Sequence, residues 1–255
     1  MFSHTVIERF RRAKRVVLIT GAGISAENGV PTFRGIDGLW RRYRADDLTT
    51  PQAFERDPRL VWEWYDWRRQ LVSKKQPNGC HVAIAAMEGL FEGFLLITQN
   101  VDGLHRKAGN RKLIEIHGNL WRVRCMAEGT VSPNTEVPLR PIPPRCQCGS
   151  LLRPDVVWFG ESLSEKDLAN SYTALSSCAC LMVVGTSAVV QPVASFPAIA
   201  RSGGAFIVEI NVESTPISGW VDASILGESG EVLPQFLEGL RRFFLDFSLD
   251  RPYIL

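Results

Sequence analysis

The sequence predicts an α/β protein built on a doubly wound parallel sheet, with a smaller region inserted into it. Three observations carry this expectation. Four short runs, Val16–Thr20, Phe94–Thr98, Leu181–Val184 and Phe206–Ile210, are continuously apolar, as strands covered on both faces must be. Longer stretches with helical periodicity lie between or after them, notably Cys80–Leu90 and Val232–Phe244, and strands alternating with helices build parallel sheets. Two segments break that rhythm. Residues 35–78 are rich in Trp, Arg and Asp and look helical, whereas Gly129–Arg145 holds Pro133, Pro138, Pro141, Pro143 and Pro144, which excludes a regular helix or a central strand. Both read as insertions that form a second, smaller lobe.

A chain of 255 residues fits one full domain, or one large domain carrying an insertion. Its apolar fraction of 45% and charged fraction of 22% are ordinary values for a protein with a sizeable core. A net charge of +2 is too mild to argue for a specific nucleic-acid partner. No apolar run approaches the ~20 residues needed to span a bilayer, so no membrane partner is expected. The start, MFSHTVIERFRRAKR, is basic but lacks the apolar stretch and small-residue cleavage site of an export signal. It reads as an amphipathic helix, with Val6, Ile7 and Phe10 on one side, and the expected location is the cytoplasm. Disulfides are then a poor reading of the six cysteines. Cys178 and Cys180 lead into an apolar run and read as small core residues.

The first strand runs directly into GAGISAENG. Glycine at Gly21 and Gly23 suits a tight strand-to-helix turn whose backbone approaches a pyrophosphate at a helix N-terminus. The spacing departs from G-x-G-x-x-G, so a hydride-transfer dehydrogenase is weakly supported. Phe33 and Arg34 follow in PTFRG. They fit either a loop with one buried aromatic or a flap that covers a reactive centre and excludes water.

The strand FLLIT ends in QNVDGLH, which places Gln99, Asn100, Asp102 and His105 within a few residues. Ligands of open α/β sheets bind outside the carboxyl ends of the strands. Amides and a carboxylate there suit ribose hydroxyls and a carboxamide. His117 ends a further apolar, alternating segment, LIEIHGNL. A lone histidine is more often structural, but beside Gln99, Asn100 and Asp102 a general base is the favoured reading. Gly185, Thr186 and Ser187 close another strand and suit phosphate or ribose. Asn211 and Glu213 close a fourth, where an acid could accept an adenosine ribose hydroxyl.

Taken in order, GAGISAENGVPTFRG, TQNVDGLH, HGNL, LLRPDVVWFGE, GTSAVVQP and EIN resemble the signature blocks of the sirtuin family over nearly the whole chain, with the archaeal and bacterial members most similar. The resemblance implies a Rossmann-type large lobe over about 1–34, 79–117 and 158–255, and a small lobe over about 35–78 and 118–157 bearing helices and a zinc module. It also implies NAD-dependent deacylation of acyl-lysine in proteins or peptides. In that chemistry the amide oxygen displaces nicotinamide from the ribose. His117 then serves as base for the ribose hydroxyl that attacks the alkylimidate. The products are lysine, nicotinamide and O-acyl-ADP-ribose.

Carried onto this chain, the resemblance assigns Asn100 and Asp102 to the nicotinamide and its ribose, and Gln99 to the ribose. Gly21, Ala22, Gly23, Ala26, Glu27, Phe33, Arg34, Gly185, Thr186, Ser187, Asn211 and Glu213 line the rest of the NAD site. The acyl-lysine peptide is expected to add as an extended strand beside Val157 and Phe159. Tyr65 and Arg68 lie three apart on one helix face. They read either as an amphipathic helix with a solvated arginine or, by resemblance to a sirtuin subgroup, as an acyl pocket. In that pocket the guanidinium pairs with the distal carboxylate of succinyl or malonyl lysine.

The family's structural zinc uses two cysteine pairs. Here the first pair reads Cys125-Met-Ala-Glu128 and the second Cys146-Gln-Cys148, so one thiolate is missing and the second pair is a residue short. Glu128 stands where the absent cysteine would be, and a carboxylate oxygen can ligate zinc. Proline-rich packing without a metal is the alternative. A mono-ADP-ribosyltransferase or NAD hydrolase would use the same pocket with a different acceptor.

Overall fold

The structure is a computed structural model that describes residues 2–31, 39–40 and 43–249. Ten helices and eleven strands are described in it. The chain opens with helix α1 (His4–Arg12), strand β1 (Arg15–Thr20) and the one-turn helix α2 (Gly23–Ala26). Two short paired strands, β2 (Leu39–Trp40) and β3 (Tyr43–Arg44), and helices α3 (Ala45–Leu48), α4 (Pro51–Arg56) and α5 (Pro58–Ser73) follow. The sheet resumes through α6 (Gly79–Met87), β4 (Gly93–Thr98), α7 (Leu104–Ala108) and β5 (Leu113–Glu115). The second insertion supplies β6 (Gly118–Cys125), β7 (Val131–Pro133) and β8 (Leu152–Val156). The chain closes with α8 (Glu165–Ser177), β9 (Cys180–Val184), α9 (Phe196–Ser202), β10 (Phe206–Asn211), β11 (Ala223–Leu226) and α10 (Ser229–Leu249).

Six strands form the main sheet in the order β11-β10-β9-β1-β4-β5, and every pairing in it is parallel. The apolar runs of the sequence are its four central strands. Period-two alternation divides them between two cores. Val16 and Leu18 pack with Phe10, Ile84 and Phe236 from α1, α6 and α10. Val17 and Ile19 face the opposite way, toward Leu175 and Phe196 of α8 and α9. Helices therefore cover both faces, which is why the strands read as unbroken hydrophobic stretches. At ~25 cal/mol per Å² of apolar surface, each such Leu or Ile contributes about 2 kcal/mol on burial.

The insertions form a second region. Strands β7-β6-β8 make a three-stranded antiparallel sheet, and α4 and α5 pack on it around buried Trp62, Trp64, Tyr65 and Trp158. Helix α5 starts where Asp57 accepts from the Leu60 N–H, with Pro58 at the first helical position, where its missing donor costs nothing. The proline-rich stretch contributes the edge strand β7, and the other edge strand, β8, holds Pro154; edges are where a sheet accepts proline. The paired strands at Leu39–Trp40 and Tyr43–Arg44 depart from the all-helical expectation for residues 35–78. Strand β1 lies between β9 and β4, so the connections leave it toward opposite sides of the sheet. That reversal opens a crevice above the carboxyl ends of these strands. No described helix is long and apolar enough to cross a membrane.

Candidate active site

A cleft of about 920 Å³ occupies this crevice. The turn after β1 supplies Gly21, Ala22, Gly23, Ala26 and Glu27, and the loop after β4 supplies Gln99, Asn100 and Val101. The turn after β9 supplies Gly185, Thr186 and Ser187, and the end of β10 supplies Asn211 and Glu213. His117 stands between β5 and β6, and Val157 and Phe159 follow β8, with Val157 N donating to His117 O at 2.9 Å. The structure thus brings together, along one surface, nearly all the residues singled out from strand ends. Phe33 and Arg34 lie outside the described residues.

The glycine turn has a reason the sequence did not supply. A Cβ at Gly23 would lie 2.7 Å from Gly185 O, and one at Gly21 would lie 2.7 Å from the Thr186 Cβ. The two turns pack backbone against backbone, with Gly23 N donating to Gly185 O at 2.8 Å and Gly21 N to Val184 O at 3.1 Å. Those amides are spent on the neighbouring strand end and do not face a ligand. Close approach within the protein, and not only to a pyrophosphate, fixes glycine at these two positions. Gly185 itself adopts a left-handed backbone, with φ 59°, which favours glycine.

Gln99 Nε2 donates to Thr186 Oγ1 at 2.9 Å, and Asn211 Nδ2 donates to Thr186 O at 3.2 Å. These two amides tie three strand ends together. The carboxylate of Asp102 is buried and accepts from Ser25 Oγ and Leu104 N, each at 2.8 Å. Ser25 Oγ in turn accepts from Asn100 Nδ2 at 3.2 Å. Asp102 therefore sets Ser25, and Ser25 sets the amide plane of Asn100 at the cleft wall. Burial raises the Asp102 pKa, against the lowering effect of the Leu104 and Ser25 hydrogen bonds. Ser25 was missed from the sequence, although it sits inside the GAGIS block that drew attention to its neighbours. Trp158, Thr49 and Ser229 also line the cleft; Trp158 stands inside the LLRPDVVWFGE block between Val157 and Phe159, and no local pattern marks the other two.

His117 Nδ1 lies 3.1 Å from Gln99 O. A carbonyl can only accept, so Nδ1 carries the proton and Nε2 holds the lone pair. Burial pushes its pKa down, with the Gln99 carbonyl opposing. The result is a neutral imidazole in the tautomer a general base needs. Among the described lining residues it is the only basic side chain, whereas Glu27, Glu161, Glu213 and Glu228 contribute carboxylates. Glu27 is occupied: Oε1 accepts from Ser229 N and Oγ, and Oε2 from Gly230 N, which caps the first turn of α10.

His105 does not join the cleft. It is buried, its Nε2 lies 3.0 Å from Thr20 Oγ1, and its ring packs 4.8 Å from that of His81. Tyr65 and Arg68 are also buried in the second region, and neither lines the cleft. The Tyr65 hydroxyl accepts from Trp158 Nε1 at 2.8 Å, which puts it one residue behind the wall. Arg68 donates to Pro31 O at 3.3 Å and stands 5.3 Å from the Trp64 ring. Burial lowers its pKa, and Tyr65 and Asp102 oppose that shift.

Cys125, Glu128, Cys146 and Cys148 converge at the far end of β6, with one ligand atom of each within 4.8 Å of the others. Tetrahedral zinc with bonds of about 2.3 Å spaces its thiolates roughly 3.8 Å apart, so this cluster could hold the ion. Cys148 reaches it because Gly149, at φ 85°, turns the chain back, and Gly149 N donates to Cys146 O at 2.9 Å.

The profile of the Sir2 family, the sirtuins, matches residues 21–192 of this chain. The chain belongs to the Sir2 family. It is 50% identical over 227 residues to the NAD-dependent protein deacylase of Aquifex aeolicus, covering 89% of this chain and 95% of that one. It is 48% identical over 238 residues to NAD-dependent protein deacylase 2 of Pyrobaculum aerophilum, covering 93% and 95%. Among solved structures, a Sir2 homologue in complex with NAD superposes with a TM-score of 0.90 at 44% identity, over 95% of each chain. A Sir2 variant with a deacetylated p53 peptide and 3′-O-acetyl ADP-ribose superposes at 0.81 with 28% identity, over 95% of this chain and 98% of that one.

Proposed function

We propose that this Sir2-family enzyme removes acyl groups from protein lysines with consumption of NAD, and that it takes acidic acyl groups such as succinyl and malonyl in preference to acetyl. The observation that carries the deacylase reading is His117: a neutral imidazole, proton on Nδ1, with its Nε2 lone pair on the cleft wall beside Gln99 and Asn100. NAD supplies an anomeric carbon that becomes electrophilic as nicotinamide departs. The chain supplies the rest. Asn100, held by Ser25 and Asp102, presents a fixed amide to the nicotinamide end. Gln99, Thr186 and Asn211 form a polar floor for ribose. Gly21, Ala22, Gly23, Ala26, Glu27, Gly185, Ser187 and Glu213 wall the dinucleotide, with Phe33 and Arg34 completing the set. His117 Nε2 takes the proton of the attacking ribose hydroxyl. The peptide lies along Val157 and Phe159.

The acyl preference rests on Tyr65 and Arg68. Tyr65 packs in the aromatic cluster and accepts from Trp158, which itself lines the cleft, and Arg68, one turn on along α5, stands 5.3 Å from the ring of Trp64 in that cluster. A buried guanidinium carries a desolvation cost that a distal carboxylate offsets by bidentate pairing, whereas an acetyl methyl cannot. We also assign the main sheet and its helices to an NAD-binding lobe over about 1–34, 79–117 and 158–255. A smaller lobe covers about 35–78 and 118–157, with zinc held by Cys125, Cys146, Cys148 and Glu128.

Matched succinyl-lysine and acetyl-lysine peptides, followed by mass spectrometry with and without NAD, test the reading. O-succinyl-ADP-ribose is the expected product, and Arg68→Met is expected to lower desuccinylation roughly 30-fold while sparing deacetylation. Equal loss of both activities would discard the role of Arg68. Free ADP-ribose, or a labelled acceptor protein, would identify an NAD hydrolase or transferase instead.

A further inference from the structure

Asp102 stands behind the cleft wall, so its effect on the reaction depends on where the backbone around it is held. Two bonds from β6 hold that backbone. Leu120 N donates to Val101 O at 2.8 Å, and the indole Nε1 of Trp121 donates to Asp102 O at 2.7 Å. The turn is shaped to the same ring: Gly103 has φ +76°, and a Cβ there would lie 2.8 Å from Trp121 Cδ1. The indole is fixed in turn from the second region. Trp121 N donates to Asn119 Oδ1 at 2.8 Å, and Trp121 O accepts from Asn134 N at 2.9 Å. Arg69 places its guanidinium 5.3 Å from the indole centroid and donates to Asn134, both to its side-chain oxygen and to its backbone carbonyl.

These contacts form a continuous path from Asn134, just beyond β7, through Arg69 and Trp121 to Asp102, Ser25 and Asn100. We propose that Trp121 is a positioning residue for the NAD reaction, holding the Asp102 backbone carbonyl through its Nε1–H, so aligning the carboxylate and coupling the three-stranded sheet to the nicotinamide end of the cleft. Leu120 N holds the Val101 carbonyl, and the carboxylate is held by Leu104 N and Ser25 Oγ; the indole adds the bond to the carbonyl of the Asp102–Gly103 peptide between them. A small rotation of that peptide suffices, because catalytic alignment is lost over displacements of about 1 Å. The proposal rests on the assignment of Asp102 to the NAD site.

Trp121→Phe keeps an aromatic ring in the half-buried position and deletes the donor. Deacylation kcat and nicotinamide–NAD exchange are both expected to fall about tenfold, the value of one hydrogen bond near the top of its usual range. KM for the acyl peptide is expected to hold, and Tm to fall by only the few degrees that one unpaired carbonyl costs. In an Asp102→Asn background the same substitution is expected to change neither rate further, because both act through one carboxylate. Unchanged rates in Trp121→Phe, or a second full tenfold loss on top of Asp102→Asn, overturn the proposal. An Asp102→Asn enzyme as active as the parent would overturn the assignment of Asp102 as well.

Discussion

The six-stranded and three-stranded sheets meet at His117, and they are held by different physics. The parallel sheet is buried on both faces by aliphatic side chains, and its strand ends approach one another through glycine. The antiparallel sheet is held by aromatic packing and by charges. Glu115 binds Arg106 at 3.0 Å and Arg122 at 2.8 Å, while Asp155 binds Arg122 at 2.9 Å and Arg124 at 2.7 Å. These pairs bridge β5, α7, β6 and β8, which flank His117. On the proposed function, the contrast separates two requirements of one site: a rigid apolar frame to place the dinucleotide, and a polar junction to orient His117 and Asp102.

Three substitutions sharpen that contrast. The largest effect is expected at the junction, where His117→Ala should reduce deacylation by at least about a hundredfold, the low end for a lost general base, with little change in Tm. In the parent, burial holds the His117 pKa below its ordinary 6.5. The base works only when unprotonated, so kcat/KM should rise with pH through that lowered pKa and be level at neutrality. An acid limb above pH 6.5 would contradict the buried, neutral histidine. A pH–rate profile decides it.

A smaller effect is expected in the frame. Gly23→Ala puts a methyl 2.7 Å from Gly185 O and 3.0 Å from its Cα, neither of which can move without displacing a strand end. Overpacking of this kind costs about 2 kcal/mol, which lowers Tm by roughly 6 °C in a chain of this size. NAD affinity should fall with it. Thermal melts with and without NAD measure both, and an unchanged Tm would show that the two turns are not in contact.

The smallest effect belongs to the outer ion pairs. Arg124 is half exposed where it meets Asp155, and exposed pairs contribute only about 0.5 kcal/mol. Arg124→Ala should therefore shift Tm by a degree or two and leave the rate unchanged, because Arg122 still holds Asp155. A large loss of activity would mean that the whole ionic junction, and not Asp102 and His117 alone, sets the geometry of the base.

Much of this was legible in the residues. Val16–Thr20 and Leu181–Val184 announced buried strands because parallel strands must be apolar on both sides. Gln99, Asn100, His117, Gly185 and Asn211 were found because polar residues that end such strands share one surface. The short paired strands at 39–40 and 43–44 were not legible, since two-residue strands carry no periodicity. The role of Ser25 was hidden because it depends on a carboxylate 77 positions away. His105 misled for the opposite reason: its place beside Asp102 in the chain suggested the cleft, but one turn of α7 rotates it inward against Thr20.

Sequence by itself determined the fold class, the order of the strands along the chain, the family resemblance and the chemistry gathered at the strand ends. These depend on periodicity and residue type, which are local. Tertiary structure alone decided which tautomer His117 holds, why Gly21 and Gly23 tolerate no side chain, and how Trp121 reaches Asp102. Each of these is a contact between segments far apart in the chain, and hydrogen-bond direction and steric clash exist only once the segments have met.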